Sequence, residues 1–526
     1  MKPFSSGSPS RRPRAVRTLW AGVLSCVLMS ACQDAAEPCE QSCSVPLLGL
    51  THTFDQGTLT HQVVPRTGWG GLKVRLSGGT AYVLETTRDA GGGSARRLVA
   101  YSAASQVLWT LEASPREHFS DFTVHPSGEL TLGVERTDAE RGGYDLVRLS
   151  AAGELVTRQP VPAPETLPAG DLGTDLPPRP FRMKARPAHA LTDGWLRTEA
   201  RGEDLVVAFL TFVDEPQENP DSPPSHLVSG VMALRWSEAR YAEQWTRLVD
   251  GRHRVEPAAW AYDEFRWREA PARPLLAVDQ DGAVVVGRTW NSLRCLAASD
   301  IFQAPTRVEC LTGEDVTSPM DTEHQPFAFT SFSASGEREG THSFIPGSVA
   351  EFVVFDLAAR GGDVAIAGTA VRQNASGGID YYPPFPGSTD RMAPYDGYVA
   401  VLARRTGALR FERYVRGERA DHFSTLRWTE DGLLAAGATG WDRWGGGMSI
   451  SRGAGPLLAL VTEEGSTARV RTLALDGSQR HFHLLGVDAR DGAVVAVGLA
   501  EAPMTHAGDG GQWGNMTFGG LTLDLR

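Results

Sequence analysis

Short apolar runs recur along the chain between polar turns that end in glycine. Five segments share one signature, a closing Gly, a mostly apolar run, and a second Gly: 128–133 (GELTLG), 282–287 (GAVVVG), 362–368 (GDVAIAG), 432–437 (GLLAAG) and 492–498 (GAVVAVG). The turns before them read HPSG, DQDG, ARGG, TEDG and ARDG. Asp and Gly at such places supply the backbone angles of tight hairpin turns. Each turn is itself preceded by a β-like stretch: FTVH, LLAVD, FVVFDLA, LRWT and LLGVDA. Continuous apolar runs of this length suit strands buried on both faces.

Several of these hairpins continue into a third and a fourth strand. YDLVRL from Tyr144 leads through SAAG to ELVTRQPV, YVAVLA from Tyr398 through RRTG to ALRFERYV, and LLALV from Leu457 through TEEG to STARVRTLAL. The unit is therefore a four-stranded meander. Two looser units, 72–113 and 195–250, bring the number to seven. Repetition of four-stranded sheets predicts an all-β fold, a β-propeller of seven blades. A β-sandwich or a pair of small barrels is the alternative. After Gly498 only one strand is evident, MTFGGLTLDLR, so the last unit lacks its fourth. An orphan strand-like segment at Thr58–Arg66 fits no other unit. It is expected to complete the last blade and close the ring, which removes an exposed strand edge.

In such a meander alternate connections lie on opposite faces. Short Gly turns fall on one face, and the long connections 162–194, 214–226, 251–272, 313–348, 373–395, 440–455 and 500–515 fall on the other. Long loops in compact folds carry function more often than scaffold turns do. Several hold aromatics, with Tyr381, Tyr382, Tyr395, Trp441, Trp444 and Trp513 as candidate ligand-binding residues. Such rings either pack the loops onto the propeller or stack on sugars and anchor a partner.

Three units open with His-Phe, at His118, His422 and His481. These histidines are expected near the rim of the central channel, each bonded within its own blade. Ligands about 2 Å from a shared ion would have to stand closer than separate blades bring them, so no metal is expected. No H-E-x-x-H, G-x-S-x-G or P-loop motif occurs, and no cofactor is implied.

Gly at 57 and Pro at 33 fit short strands with many turns, and 41% hydrophobic with 22% charged residues excludes a disordered chain. The first residues change the picture more. Lys2, Arg11, Arg12, Arg14 and Arg17 precede a short apolar run, LWAGVLSCVLM, and then Ser30-Ala31-Cys32. The run is about half the ~20 residues a membrane span needs. Small residues directly before a Cys resemble the lipobox of bacterial lipoprotein signal peptides. That resemblance implies cleavage of a 1–31 leader and acylation of Cys32, palmitate included. Residues 32–57 then read as a tether and 58–526 as the propeller domain. Without the leader's five positive charges, 46 basic residues face 63 acidic ones, a net charge of −17. This disfavours nucleic acid and electrostatic docking on anionic lipid, so membrane attachment falls to the lipid anchor alone. Cys39, Cys43, Cys295 and Cys310 form an even set in an exported chain, with Cys39–Cys43 and Cys295–Cys310 the expected disulfides.

The stretch 281–289 (DGAVVVGRT) resembles the repeats of seven-bladed β-propellers of bacterial surface proteins. Together these readings imply a lipid-anchored protein of the cell envelope, at the outer membrane. It would act as a scaffold for an envelope protein or a glycan rather than as an enzyme. The alternatives are a polysaccharide hydrolase or lyase working at the channel mouth, and a structural part in outer-membrane assembly.

Overall fold

The computed structural model describes residues between Leu50 and Leu525. Outside the description lie 1–49, the connections 163–195, 215–224, 255–273, 290–326, 377–394, 450–454, 473–480 and 502–517, and several shorter stretches. All described elements are strands. β1 (Leu50–Phe54) and β2 (Gly57–Thr67) come first. Blade 1 follows as β3 (Gly70–Ser77), β4 (Thr80–Arg88), β5 (Ser94–Tyr101) and β6 (Val107–Glu112). Blade 2 is β7 (Glu117–Val124), β8 (Leu130–Arg136), β9 (Gly143–Leu149) and β10 (Leu155–Pro160). Blade 3 is β11 (Leu196–Arg201), β12 (Asp204–Asp214), β13 (Ser225–Ser237) and β14 (Arg240–Arg254). Blade 4 is β15 (Leu275–Val278), β16 (Val284–Thr289), β17 (Phe327–Phe332) and β18 (Arg338–Phe344). Blade 5 is β19 (Val349–Arg360), β20 (Asp363–Arg372), β21 (Tyr395–Ala403) and β22 (Leu409–Val415). Blade 6 takes β23 (Asp421–Thr429) and β24 (Gly432–Thr439), then a separate hairpin of β25 (Asp442–Trp444) and β26 (Gly447–Ser449), then β27 (Gly455–Val461) and β28 (Thr467–Thr472). The remaining strands are β29 (His481–Arg490), β30 (Ala493–Glu501) and β31 (Phe518–Leu525).

The fold is an all-β β-propeller. Among the described residues it has six four-stranded blades, not the seven expected. The remaining sheet has five strands in the order β1-β2-β31-β30-β29. The count differs because the sheet built on β29 takes in two N-terminal strands, β1 and β2, and so has five strands rather than the four of the repeat. Regular structure also starts at Leu50, inside the stretch read as a tether, because LTHTF pairs along β2 from Leu50↔His61 to Phe54↔Gly57. The stretch 313–348, expected to be a link between blades, instead holds β17 and β18. Its run FAFTSF is buried at every position, and no Gly-apolar-Gly signature marks it.

Burial follows the pattern read from the sequence. The second strand of each repeat is covered on both faces: in β20 all eight residues from Val364 to Val371 are buried. The second glycine of the signature has a steric cause. A Cβ on Gly368 would stand 1.8 Å from the Val353 carbonyl oxygen, and one on Gly437 2.0 Å from that of His422. Both face the first strand of their own blade where its register slips, between Val354 and Asp356 and between Phe423 and Thr425. The same β-bulge recurs at Gly71/Lys73, Phe119/Asp121 and Leu484/Gly486. A bulge bends and re-aims a strand, and five of the innermost strands carry one.

Neighbouring blades interlock between their large side chains. Phe423, from blade 6, is fully buried in a cluster with Val399, Val401 and Ala365 of blade 5. Trp109 of β6 lies against Gly153 in the turn of blade 2 and donates its indole N–H to the Ala151 carbonyl at 3.0 Å. Trp245 of β14 does the same to Gly336 and Ala334 of blade 4, at 3.1 Å.

The strand bounds confirm the sidedness of the connections. Those at one end of the strands, such as 78–79, 125–129, 238–239 and 404–408, are two to five residues long. The long ones, 161–195, 215–224, 255–274, 290–326, 373–394, 440–454 and 502–517, all leave from the other end.

Candidate functional site

The first strands of the six blades, together with β29 of the five-stranded sheet, converge on one central cavity of about 50 Å³. β3 contributes Leu72, Lys73 and Arg75; β7 contributes Asp121; β11 contributes Arg197 and Glu199. β15, β19, β23 and β29 add Leu275 and Leu276, Asp356 and Leu357, Ser424, Thr425 and Arg427, and Leu485 and Gly486. The bulges explain the arrangement. Lys73, Asp121, Asp356, Thr425 and Gly486 each follow the register slip of their strand, and all five reach the channel. Two residues further along, on the same side of the pleat, stand Arg75, Arg427 and Asp488.

These charges are bound to one another. Lys73 Nζ lies 2.7 Å from Asp121 Oδ1, and Arg197 Nη1 lies 3.5 Å from the same oxygen. Glu199 Oε1 faces three cations, Arg75 Nη2 at 2.7 Å, Lys73 Nζ at 3.6 Å and Arg427 Nη2 at 3.7 Å. Three aspartates also receive backbone N–H groups from the next innermost strand. Asp121 accepts from Thr198 at 2.8 Å, Asp356 from Leu426 at 3.1 Å, and Asp488 from Leu76 at 2.7 Å. The carboxylates thus tie blade to blade.

Burial and neighbours shift these groups in different directions. Burial, reinforced by Arg75, pushes the Lys73 ammonium down despite Asp121 and Glu199. Burial works against the Asp121 carboxylate too, but Lys73 and Arg197 overcome it and hold it below its usual value. At Asp488 burial prevails and pushes the carboxyl up, although Arg75 and two backbone N–H groups oppose it.

Two further charge clusters, each built round a buried arginine, lie at the short-turn face. Arg404 joins blades 4 and 5 by donating to Asp279 at 2.6 Å and to Asp281 at 2.7 Å. Asp279 also accepts the N–H groups of Gly361 and Gly362. Between blades 2 and 3, His125 contacts the Gly202 carbonyl at 3.1 Å and Thr131 at 2.7 Å, with Tyr241 bridging Thr131 and Arg148.

The residues singled out from the sequence fall elsewhere. His118 and His422 lie on β7 and β23, both buried, but neither lines the cavity. His422 packs edge-on against Phe355 of blade 5, with ring centroids 5.9 Å apart. His481 opens β29, and its side chain lies outside the described residues. Tyr395, expected in a loop, is instead the first residue of β21, where it pairs with Val371 and is 5% exposed. Its side chain belongs to the sheet because the strand begins one residue earlier than the loop reading allowed. Trp444 ends β25, within the hairpin of the long 440–454 connection. Cys32, Cys39, Cys43, Cys295, Cys310, Tyr381, Tyr382, Trp441 and Trp513 lie outside the described residues. No cluster of three or more His, Cys, Asp or Glu fit to hold a metal is found among the described residues. The channel charges were missed because a lone charge in an apolar run reads as an irregular strand. Their signal was a charged residue interrupting the first strand of a unit, as in HFSD, VVFD and LGVD.

No protein-family model and no curated protein matches the chain. Solved structures that resemble it are distant. The polysaccharide lyase Uly1 is 11% identical with a TM-score of 0.41, the match covering 87% of this chain and 90% of that one. The endosialidase of phage phi92 is 10% identical with a TM-score of 0.37, over 90% and 71% of the two chains. The β-propeller domain of the Trilobed protease from Pyrococcus furiosus is 8% identical with a TM-score of 0.37, over 83% and 92%. At these values the likenesses carry no functional argument.

Proposed function

We propose that this chain is a binding scaffold of the cell envelope, held there by lipid on Cys32, which engages a protein or glycan through its long-connection face. The observation that carries this reading is the lopsided distribution of connections. Every turn at one end of the strands has two to five residues, while 161–195, 255–274, 290–326 and 373–394 all leave from the other. The channel supports the same choice. Ligand pockets commonly enclose ~300–1,000 Å³, against about 50 Å³ here. The three described carboxylates that line the cavity, Asp121, Glu199 and Asp356, and Asp488 beside it each hold a cation or a backbone N–H of another sheet.

The same proposal takes the five-stranded sheet as a seventh blade, with β2 as the strand that closes the ring. Pairing of β2 with β31 from His61↔Leu525 to Thr67↔Gly519 supports it.

The test uses the mature chain from Cys32 and two variants in which 377–394 or 440–454 is replaced by a Gly-Ser linker. Each is probed with envelope extract, with partners identified by mass spectrometry, and on a glycan array. A ligand held by the parent and lost from one or both variants is the expected result. Binding indifferent to both replacements overturns the choice of face, and turnover of a polysaccharide by the parent overturns the scaffold reading.

A further inference from the structure

The junction between β29 and β3 joins the five-stranded sheet to blade 1, linking residues about 410 positions apart. It uses the device seen at two other junctions, an aspartate accepting an N–H of the next innermost strand, but its charge compensation differs. At the junction of blades 2 and 3, Asp121 has a lysine at 2.7 Å and an arginine at 3.5 Å. At the β29–β3 junction the cation nearest Asp488 among the contacts found is Arg427 Nε, 3.7 Å from Oδ1. Oδ2 is taken by the Leu76 N–H at 2.7 Å.

The groups that face Asp488 come from three elements. β3 brings Arg75, which is already held by Glu199 at 2.7 Å. β23 brings Arg427, which also reaches Glu199. Its own strand brings Arg490, whose Nη1 donates to the Leu76 carbonyl at 3.4 Å. The opposite residue on β30 is Val495. Glu199 therefore competes for two of the three cations.

We propose that this junction is a pH-responsive latch, with Asp488 as the group that tightens it when protonated. The proposal rests on the reading that this junction completes the ring. Burial holds the folded-state carboxyl above its ordinary value of 3.8. A carboxyl raised on folding favours the neutral form, so its contribution is full below 3.8 and is lost as pH rises through the folded value. A neutral carboxyl still accepts the Leu76 N–H, so the bond survives while the buried charge is removed.

Amide hydrogen exchange of the full mature chain, followed by mass spectrometry from below pH 3.8 up to about 7.5 and corrected for intrinsic rates, tests this. Protection of β3 and β29 peptides is read relative to β20 and β21 of blade 5. In the parent that ratio is expected to fall at least threefold as pH rises. In Asp488→Asn, which keeps an acceptor but has no charge to lose, it is expected to stay flat. A flat ratio in the parent, or an unchanged slope in the variant, overturns the latch. The parent curve alone decides the matter if the variant does not fold. Peptides from β2 and β31 are read separately. If they exchange independently of each other the ring-closure reading fails, whatever β3 and β29 show.

Discussion

Asp121→Ala is the sharpest perturbation of the channel. The carboxylate is almost fully buried and serves three partners, the Thr198 N–H at 2.8 Å, Lys73 Nζ at 2.7 Å and Arg197 Nη1 at 3.5 Å. Leaving a buried N–H without an acceptor costs about 1–3 kcal/mol. Removing one partner of a buried ion pair costs about 3–5 kcal/mol. Two facts place the second term at its lower end: Lys73 keeps Glu199 at 3.6 Å, and its side chain retains 12% exposure through which water reaches it. The two losses share one site and do not add fully, so the expected destabilisation is about 4 kcal/mol. Urea unfolding at pH 7, followed by tryptophan fluorescence and circular dichroism, measures it. Asp121→Asn retains an acceptor and should lose less, about 2 kcal/mol on the same reasoning. Combining it with Lys73→Met removes both charges and should recover part of that loss, because two matched apolar or neutral groups avoid the unpaired ion. A change below about 1 kcal/mol in Asp121→Ala, the level of an exposed pair, would refute the view that the channel charges hold the blades together.

The acid limb of stability should depend on the same residue. Lys73 and Arg197 keep the Asp121 carboxyl below 3.8 on folding despite its burial, so its contribution is present above 3.8 and is lost as pH falls through the folded value. Acid unfolding monitored by circular dichroism should be steeper in the parent than in Asp121→Asn below about pH 4. His125 should act higher on the scale. Burial pushes its imidazole down from 6.5 against the Gly202 carbonyl, so its contribution is full above 6.5 and is lost as pH falls. Blade 2 and 3 peptides should lose exchange protection between pH 7 and 5, and His125→Gln should weaken that loss. Gly437→Ala drives a methyl to within 2.0 Å of the His422 carbonyl oxygen, which cannot swing away as a side-chain end can. Overpacking of that kind costs about 1–3 kcal/mol, read as a lowered urea midpoint.

What the sequence disclosed and what it hid divide along a physical line. The Gly-apolar-Gly runs disclosed the second strand of five sheets, because close approach by a bulged neighbour leaves no room for a side chain at Gly368 or Gly437. The short turns disclosed the face on which they lie, since their lengths repeat. Blade 4 was harder to read. Its third and fourth strands carry FAFTSF and REGTHSF, and they stand 37 residues beyond the hairpin that opens the blade. The blade count differed at the sheet built on β29: the pairing of Thr58–Arg66 with the last strand was legible as an orphan segment, but the fifth strand, LTHTF, lay in the stretch read as a tether. His118 and His422 sit on the innermost strands but do not line the cavity, where the bulge that follows places Asp121 and Thr425.

The channel's chemistry then bears on where recognition can occur. A site that processes a substrate needs groups free to change partners along the reaction. Here Glu199 holds cations from β3 and β23, while Asp121, Asp356 and Asp488 each hold the amide of a neighbouring strand. Freeing any of these carboxylates would loosen a junction between sheets, so activity there would be bought with stability. A face whose connections vary in length from sheet to sheet has no such coupling, because the strands beneath remain clamped whatever the connections do. The polar network that fills the axis is in this sense what leaves the long connections open to vary. If so, replacing 377–394 or 440–454 should leave the urea midpoint within about 0.5 kcal/mol of the parent, as surface changes usually do, while the channel variants shift it by several times that amount.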